Sequence, residues 1–432
     1  MLVAKNAPKD DLIVTGARVL DPGEGIDATV DVRVDDGIVT AIGAQLDRNG
    51  HPVLDGEGLV LAPAFVDPHV HLRTPGREDE ETIASGTAAA AAGGYCAILA
   101  MPNTEPVVDS AAVLGSLVEQ ARADAEVAVG FLAAITKGQQ GAELTEMGEL
   151  ADAGAAGFTD DGRPVVAPGL MWRALQYSSI TGRKLAVHCE ELTLSRGGHM
   201  HEGIVSAELG IGGWPSVAES VMVERDLALA AYEERPLHLM HLSARESVEA
   251  LRRALDAGVP ATAEATPHHL VLTDDAVRSL DPNVKMNPPL GGDEDRAALL
   301  EALRDGTIAC VATDHAPHAR HEKEVPFEEA PFGVTGLETA FAALYTHLVE
   351  PGLLPLATLL ERMSAGPARA YGLDVPRIAL GAPANLVLLD PNAVWKVDEK
   401  GFRSRSINSW LLGKTLKGRV KATVAAGRLV FA

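Results

Sequence analysis

Paired cysteines, an excess of base and a long apolar run are all missing from this 432-residue chain. Its three cysteines, Cys96, Cys189 and Cys310, are scattered and form no CxxC pair. That excludes a disulfide framework and a thiolate zinc site. Buried, neutral thiols in a reducing compartment are the expectation instead. Bases are the scarcer charge, 37 against 60 acids, for a formal net charge of −23. Nucleic acid and anionic membrane surfaces need a basic footprint, so neither is expected as a partner. An anionic small molecule stays compatible, because a local site can oppose the global charge. No apolar run reaches membrane-spanning length, and the opening MLVAKNAPKDD lacks the hydrophobic core of a signal peptide. The chain reads as soluble and cytoplasmic.

What is present is an ordinary globular composition, 47% hydrophobic and 22% charged, long enough for one large domain and a smaller one. Eight short apolar runs lie between residues 60 and 320. They are APAFVDPHVH (62–71), YCAILAMPNT (95–104), VAVGFLAAIT (127–136), AAGFTDD (155–161), KLAVHCEE (184–191), PLHLMHLSA (236–244), PATAEATPHH (260–269) and IACVATDHAP (308–317). Near-continuous Ala, Val, Leu and Ile suit strands buried on both faces. Helix-like stretches separate them, such as DSAAVLGSLVEQARADA (109–125), with Asp109 or Ser110 as N-cap, and ARESVEALRRALDAG (244–258). Strand and helix alternating eight times predict an α/β fold, a (β/α)₈ TIM-like barrel over residues 62–375. Residues 1–61 and 376–432 instead hold short alternating runs with Gly and Asp turns, which predict a small flanking β-sandwich domain built from both chain ends.

In such a barrel, chemistry sits where the strands end. Here the runs end in His69 and His71, Asn103, Asp160 and Asp161, His188, His241, and Asp314 with His315 and His318 behind it. Residues two apart on a strand share a face, so His69 and His71 can reach one ion, and Arg73 continues the alternation. Imidazole and carboxylate together suit zinc or a similar divalent metal. Four histidines with two aspartates exceed the needs of one catalytic zinc, so a two-metal site fits the count better. A lone strand-end histidine is more often structural; the constellation is the signal. His199, His201, His321 and His347 lack such positions, and His268 and His269 read as structural.

VDPHVHLRTPG (66–76), MPNT (101–104), GFTDDG (157–162), VHCEE (187–191), MHLS (240–243), KMNPPL (285–290), ATDHAPH (312–318) and APFG (330–333) together resemble the class I dihydroorotases of the amidohydrolase superfamily. The resemblance runs in order through residues 11–430. It implies two Zn²⁺ per chain, the first held by His69, His71 and Asp314, the second by His188 and His241, with Asp161 bridging. Related hydantoinases and allantoinases bridge with a carboxylated lysine, and no lysine stands near the fourth run here. Whether Asp160 or Asp161 faces the metals depends on strand register. The implied reaction is reversible hydrolysis of L-dihydroorotate to N-carbamoyl-L-aspartate, the third step of pyrimidine synthesis. A metal-bridging hydroxide would be the nucleophile and Asp314 the general acid and base. His71, Arg73, Asn103 and His318 would bind the substrate, Arg73 and Asn103 at its carboxylate. Asn287 would contact the ring, and the Phe332–Gly333 backbone would close over it.

Two rivals follow from the same residues. Another cyclic amidohydrolase would share the histidines and the final aspartate, but not the Arg73–Asn103 pair. An inactive structural partner of aspartate carbamoyltransferase would lack ligands, and all six are present. The family also implies a small-molecule substrate and a homodimer, and it is compatible with association of an active enzyme with that transferase. The charged, Pro-punctuated stretch 318–336 reads equally as a mobile loop over the barrel mouth or as a fixed surface loop.

Overall fold

The structure, a computed structural model, describes residues 1–432. Eight parallel strands follow one another in sequence order around a barrel. They are Phe65–Val70, Tyr95–Ala100, Ala128–Ala133, Gly157–Phe158, Leu185–Val187, Leu237–Leu239, Ala261–Ala265 and Cys310–Val311. Each lies within one of the eight apolar runs. Each of the first seven is followed by a helix that covers the outer face, from Ile83–Ala92 to Asp293–Asp305. Every residue of the first two strands is buried, which is why their sequences do not alternate.

The ring closes between its first and last strands. Val70 bridges His315 in parallel, and the His71 N–H donates to the His315 carbonyl at 2.9 Å. A buried carboxylate reinforces this seam: Asp67 accepts from the Thr313 N–H at 3.1 Å and the Thr313 hydroxyl at 2.5 Å. Asp67 is fully buried, which pushes its carboxyl up to about 7. The seam lies directly beneath His69, His71 and Asp314.

Helix starts match their sequence signals. Thr82 caps Ile83–Ala92 in a capping box with Ser85, and Ser110 caps Ala111–Asp124. Gly93 ends the first of these against the barrel: a Cβ there would stand 2.2 Å from the Leu337 carbonyl oxygen.

Both chain ends build a second, eight-stranded sheet. Val60–Pro63 lies at its centre, parallel to Leu12–Asp21 and antiparallel to Leu386–Lys396, so the two ends meet there. The inward positions Leu12, Val14, Val32, Val34, Leu386 and Leu388 form its own core. The Thr423 hydroxyl donates to the Ala91 carbonyl at 2.7 Å and ties this sheet to a barrel helix. No helix is long and apolar enough to cross a membrane.

Candidate active site

Five strand ends deliver six side chains to one point. Asp161 is its centre, and its two oxygens face different histidine pairs. Oδ2 lies 3.6 Å from His69 Nε2 and 3.5 Å from His71 Nε2. Oδ1 lies 3.7 Å from His188 Nδ1 and 3.6 Å from His241 Nε2. Asp314 Oδ1 joins the first pair, 3.4 Å from His69 Nε2 and 3.1 Å from His71 Nε2. Ligand bonds of about 2.0–2.2 Å around a tetrahedral ion separate donor atoms by roughly 3.3–3.6 Å. The ligand atoms of His69–His71–Asp314, and those of His69–Asp161–His241, all lie within 4.8 Å of one another.

An orphan nitrogen adds to the fit. His69 Nε2 is buried and has no hydrogen-bond partner, although two carboxylates stand within 3.6 Å. An unmade polar contact at zero exposure is costly unless something else fills it, and a cation facing both carboxylates would do so. The electrostatics agree. Burial alone would raise both carboxyls, but His69 and its neighbours outweigh it and hold Asp161 and Asp314 below the usual carboxylate range. Burial opposes charge on His69, yet Asp161 and Asp314 push its pKa well up. The pocket is thus an anionic cage that favours positive charge at its centre.

Outer contacts decide which ring nitrogen faces inward. His69 Nδ1 meets Glu264 Oε1 at 2.8 Å, His71 Nδ1 meets Asn103 Oδ1 at 2.9 Å, and His188 Nε2 meets Glu190 Oε2 at 3.0 Å. Each turns the other ring nitrogen toward Asp161. Glu264 does most. It also accepts from the His241 N–H at 3.2 Å and from His238 Nε2 at 3.0 Å. Burial raises its carboxyl, but the His238 and His69 bonds prevail and hold it at about 2. His238 is tied in turn to the Thr262 hydroxyl at 2.8 Å. Sequence reasoning missed Glu264, His238 and Glu190. A charge inside the buried strand ATAEA was the available signal for Glu264.

The two adjacent aspartates separate cleanly. Asp160 accepts from the Ile135 and Thr136 N–H groups at 2.8 and 3.0 Å and from the Thr136 hydroxyl, so it joins the third strand end to the fourth. Burial pushes its carboxyl up to about 6. Asp161 alone turns to the histidines. His315 also turns away, binding Glu81 Oε2 at 3.1 Å and accepting from the Gly336 N–H. His269 is tied to Thr266 and to the Pro288 carbonyl.

A cavity of about 180 Å³ opens over this centre. It is lined by His71, Arg73, Asn103, Asp161, His188, His241, Asn287, Asp314, His318, Phe332 and Gly333, with Gly162 and Ala316. His69 lies beneath its floor. A larger cavity of about 380 Å³, beside Trp395 and Arg419 on the terminal sheet, contains no histidine and lies elsewhere.

Arg73 reaches the cavity by a different route from simple alternation. The strand ends at Val70, and Arg73 has a left-handed φ of 56°. His241 and Asp314 share such backbone, at 32° and 47°. Strain of this kind, of order 1–3 kcal/mol per residue, collects at functional sites. Arg73 Nε lies 3.0 Å from the Pro317 carbonyl and 3.1 Å from Glu80 Oε2. Glu80 also meets His318 Nδ1 at 3.3 Å, and His318 Nε2 donates to the Phe332 carbonyl at 2.8 Å. Burial and the Arg73 charge drive the His318 pKa well down. Asn103 does more than expected: its amide donates to Asp161 Oδ2 at 3.2 Å while its oxygen holds His71. Asn287 Oδ1 is buried without a partner.

Comparison with known proteins follows the same lines. Residues 58–247 match a family model described as dihydro-orotase-like. A curated dihydroorotase of Geobacter metallireducens is 43% identical over 422 residues, covering 98% of this chain and 99% of that one. One from Pelotomaculum thermopropionicum is 44% identical over 419 residues, covering 97% and 98%. Among solved structures, the L-hydantoinase of Arthrobacter aurescens superposes with a TM-score of 0.87 at 26% identity, covering 98% of this chain and 96% of that one. The dihydropyrimidinase of Brevibacillus agri, at 22% identity, TM-score 0.83 and coverage of 98% and 95%, shares the fold.

Proposed function

Given that the chain belongs to the dihydroorotase family, we propose that it interconverts L-dihydroorotate and N-carbamoyl-L-aspartate in pyrimidine synthesis. The observation that carries the reading is the split geometry of Asp161, one oxygen toward each histidine pair. Two divalent ions, zinc by donor chemistry, would be held by His69, His71 and Asp314 on one side and His188 and His241 on the other, with Asp161 between. When bound, such ions acidify water and polarise a carbonyl.

The chain's own residues supply the rest. Asp314, kept ionised, takes a proton from water as its oxygen bonds to the ring carbonyl carbon. It returns that proton to the ring nitrogen as the C–N bond breaks; in the biosynthetic direction the same proton moves back. The Arg73 guanidinium, anchored at Nε by Pro317 and Glu80, turns its remaining donors to the substrate carboxylate. Asn103 binds beside it, with His318 next to Arg73 at the same end of the cavity. Asn287, with its free amide oxygen, accepts from a ring N–H. The Phe332–Gly333 backbone covers the ring. Gly333 has φ 109°, and a Cβ there would stand 2.6 Å from Ala316 Cβ, so only glycine lets the strip lie this close.

A substrate panel tests the reading. Dihydroorotate should turn over, whereas dihydrouracil and hydantoin, which lack the carboxylate, should be at least about tenfold poorer in kcat/KM for want of the charge-assisted contact. Preference for hydantoin would move the chain to the other cyclic amidohydrolases. A cytoplasmic homodimer, and association with aspartate carbamoyltransferase, belong to the same proposal. Sedimentation of the protein alone and with the transferase tests both assemblies.

A further inference from the structure

Two buried lysines stand beside the cavity with no carboxylate to pair with. Lys285 is 2% exposed and Lys323 is 7% exposed. Lys285 Nζ donates to the carbonyls of Glu328 at 2.9 Å and Ala330 at 2.7 Å. Lys323 Nζ donates to the carbonyls of Pro282 at 3.0 Å and Pro331 at 2.7 Å. Neither makes an ion pair within 4.0 Å, whereas buried ammonium groups are normally paired. Three of these acceptors, the carbonyls of Glu328, Ala330 and Pro331, belong to one strip, 328–331, which runs straight into Phe332 and Gly333, while the Pro282 carbonyl lies on the segment that leads into Lys285.

The backbone closes the same loop. The Gly333 N–H donates to the Lys285 carbonyl at 2.8 Å. Lys285 Nζ also lies 4.7 Å from the Phe332 ring centroid and 5.4 Å from that of Phe327. Two residues on from Lys285 stands Asn287, which lines the cavity. A strip without regular secondary structure is therefore held at three carbonyls, one N–H and the Phe332 ring by two residues that do not touch the cavity. Backbone oxygens satisfy the donors but leave the positive charge in place, in a protein of net charge −23.

We propose that Lys285 and Lys323 are positioning residues that clamp the 328–333 strip over the substrate and bias the pocket toward an anionic cyclic amide. This rests on the substrate reading above and adds to it residues outside the cavity wall. The clamp explains how a stretch as charged and irregular as 318–336 can present the Phe332–Gly333 backbone at fixed height. It also explains a preference for anions beyond Arg73, whose own charge is largely met by Glu80.

The charge of the clamp is open to pH. Burial lowers Lys285 to about 8, opposed by Glu328, with His199 and Lys323 the other titratable neighbours. Burial and the charge of Lys285 lower Lys323 to about 7, with Arg73 adding to the fall and Asp281 and Glu322 opposing it.

The test uses the metal-loaded protein. K285M and K323M should each raise the KM for carbamoyl aspartate about tenfold, the scale of one charge-assisted hydrogen bond, with kcat within about threefold. K285R and K323R, which keep charge and donors, should recover most of that loss. Hydrogen exchange over 328–333 should quicken in the methionine variants and not in the arginine ones. If a methionine variant fails to fold, wild-type protein decides. Its KM for carbamoyl aspartate should rise as pH passes through about 7 and about 8, while the substrate carboxylates stay ionised throughout. An unchanged KM in both methionine variants, or a flat wild-type KM profile, overturns the clamp. Absence of wild-type turnover overturns the substrate reading instead, so the two failures are distinct.

Discussion

The floor and the roof of the cavity are built from different materials. The floor is made of strand-end side chains, Asp161 and the other candidate ligands, with His69 at zero exposure just beneath and Glu264 and His238 bracing it from below. The roof is made of backbone, the 328–333 strip, held by two lysine side chains reaching its carbonyls. Side chains on a closed barrel are positioned to fractions of an ångström by the ladder beneath them, which suits chemistry. Backbone held by a few ammonium contacts is easier to release, which suits a surface that substrate must pass. Damage to the floor should therefore strike kcat or metal retention, and damage to the roof should strike KM.

The largest effect is expected at Asp314, the proposed proton carrier of the floor. Asp314→Asn should keep the fold and the near-native circular dichroism but lose at least about a hundredfold in kcat, the scale of general-base catalysis. Activity close to wild type would remove Asp314 from that role. Next comes the brace: Glu264→Gln should weaken metal retention by about tenfold to a hundredfold in chelator competition. Metal affinity left at the wild-type value would show that Glu264 only fills the barrel. Arg73→Ala lies at the boundary between floor and roof. It should raise the KM for carbamoyl aspartate about tenfold or more, with a smaller change in kcat. The smallest catalytic effect should come from Asp160→Asn. That variant should lose about 1–3 kcal/mol of stability by thermal melting, because Asp160 caps buried N–H groups, yet keep most activity once metal-loaded. A loss matching that of Asp161→Asn would contradict the separation of the two aspartates.

The floor was far more legible in the sequence than the roof or the braces. Strand ends announce themselves as polar residues closing apolar runs, so His69, His71, His188, His241 and Asp314 could be picked out without coordinates. Choosing Asp161 over Asp160 could not be done that way, since one residue of register reverses the outcome; the Asp160 contacts to Ile135 and Thr136 decide it. Alternation alone does not carry Arg73 to the cavity, because the strand stops at Val70 and a left-handed turn aims the side chain. Glu264 and His238 were passed over because their partners lie on other strands, a relation no local spacing encodes. Lys285 and Lys323 look like surface charges in sequence. Only the tertiary path of 326–333 buries them.

The central claim is a two-metal cage around Asp161 that turns over dihydroorotate. The most direct measurement is metal content and both directions of turnover on one purified sample. The expected result is close to two divalent ions per chain, with dihydroorotate hydrolysis and carbamoyl aspartate cyclisation both lost on chelation and restored by zinc. Full turnover in chelated, metal-free protein would contradict it, as would two bound ions with no turnover of either substrate.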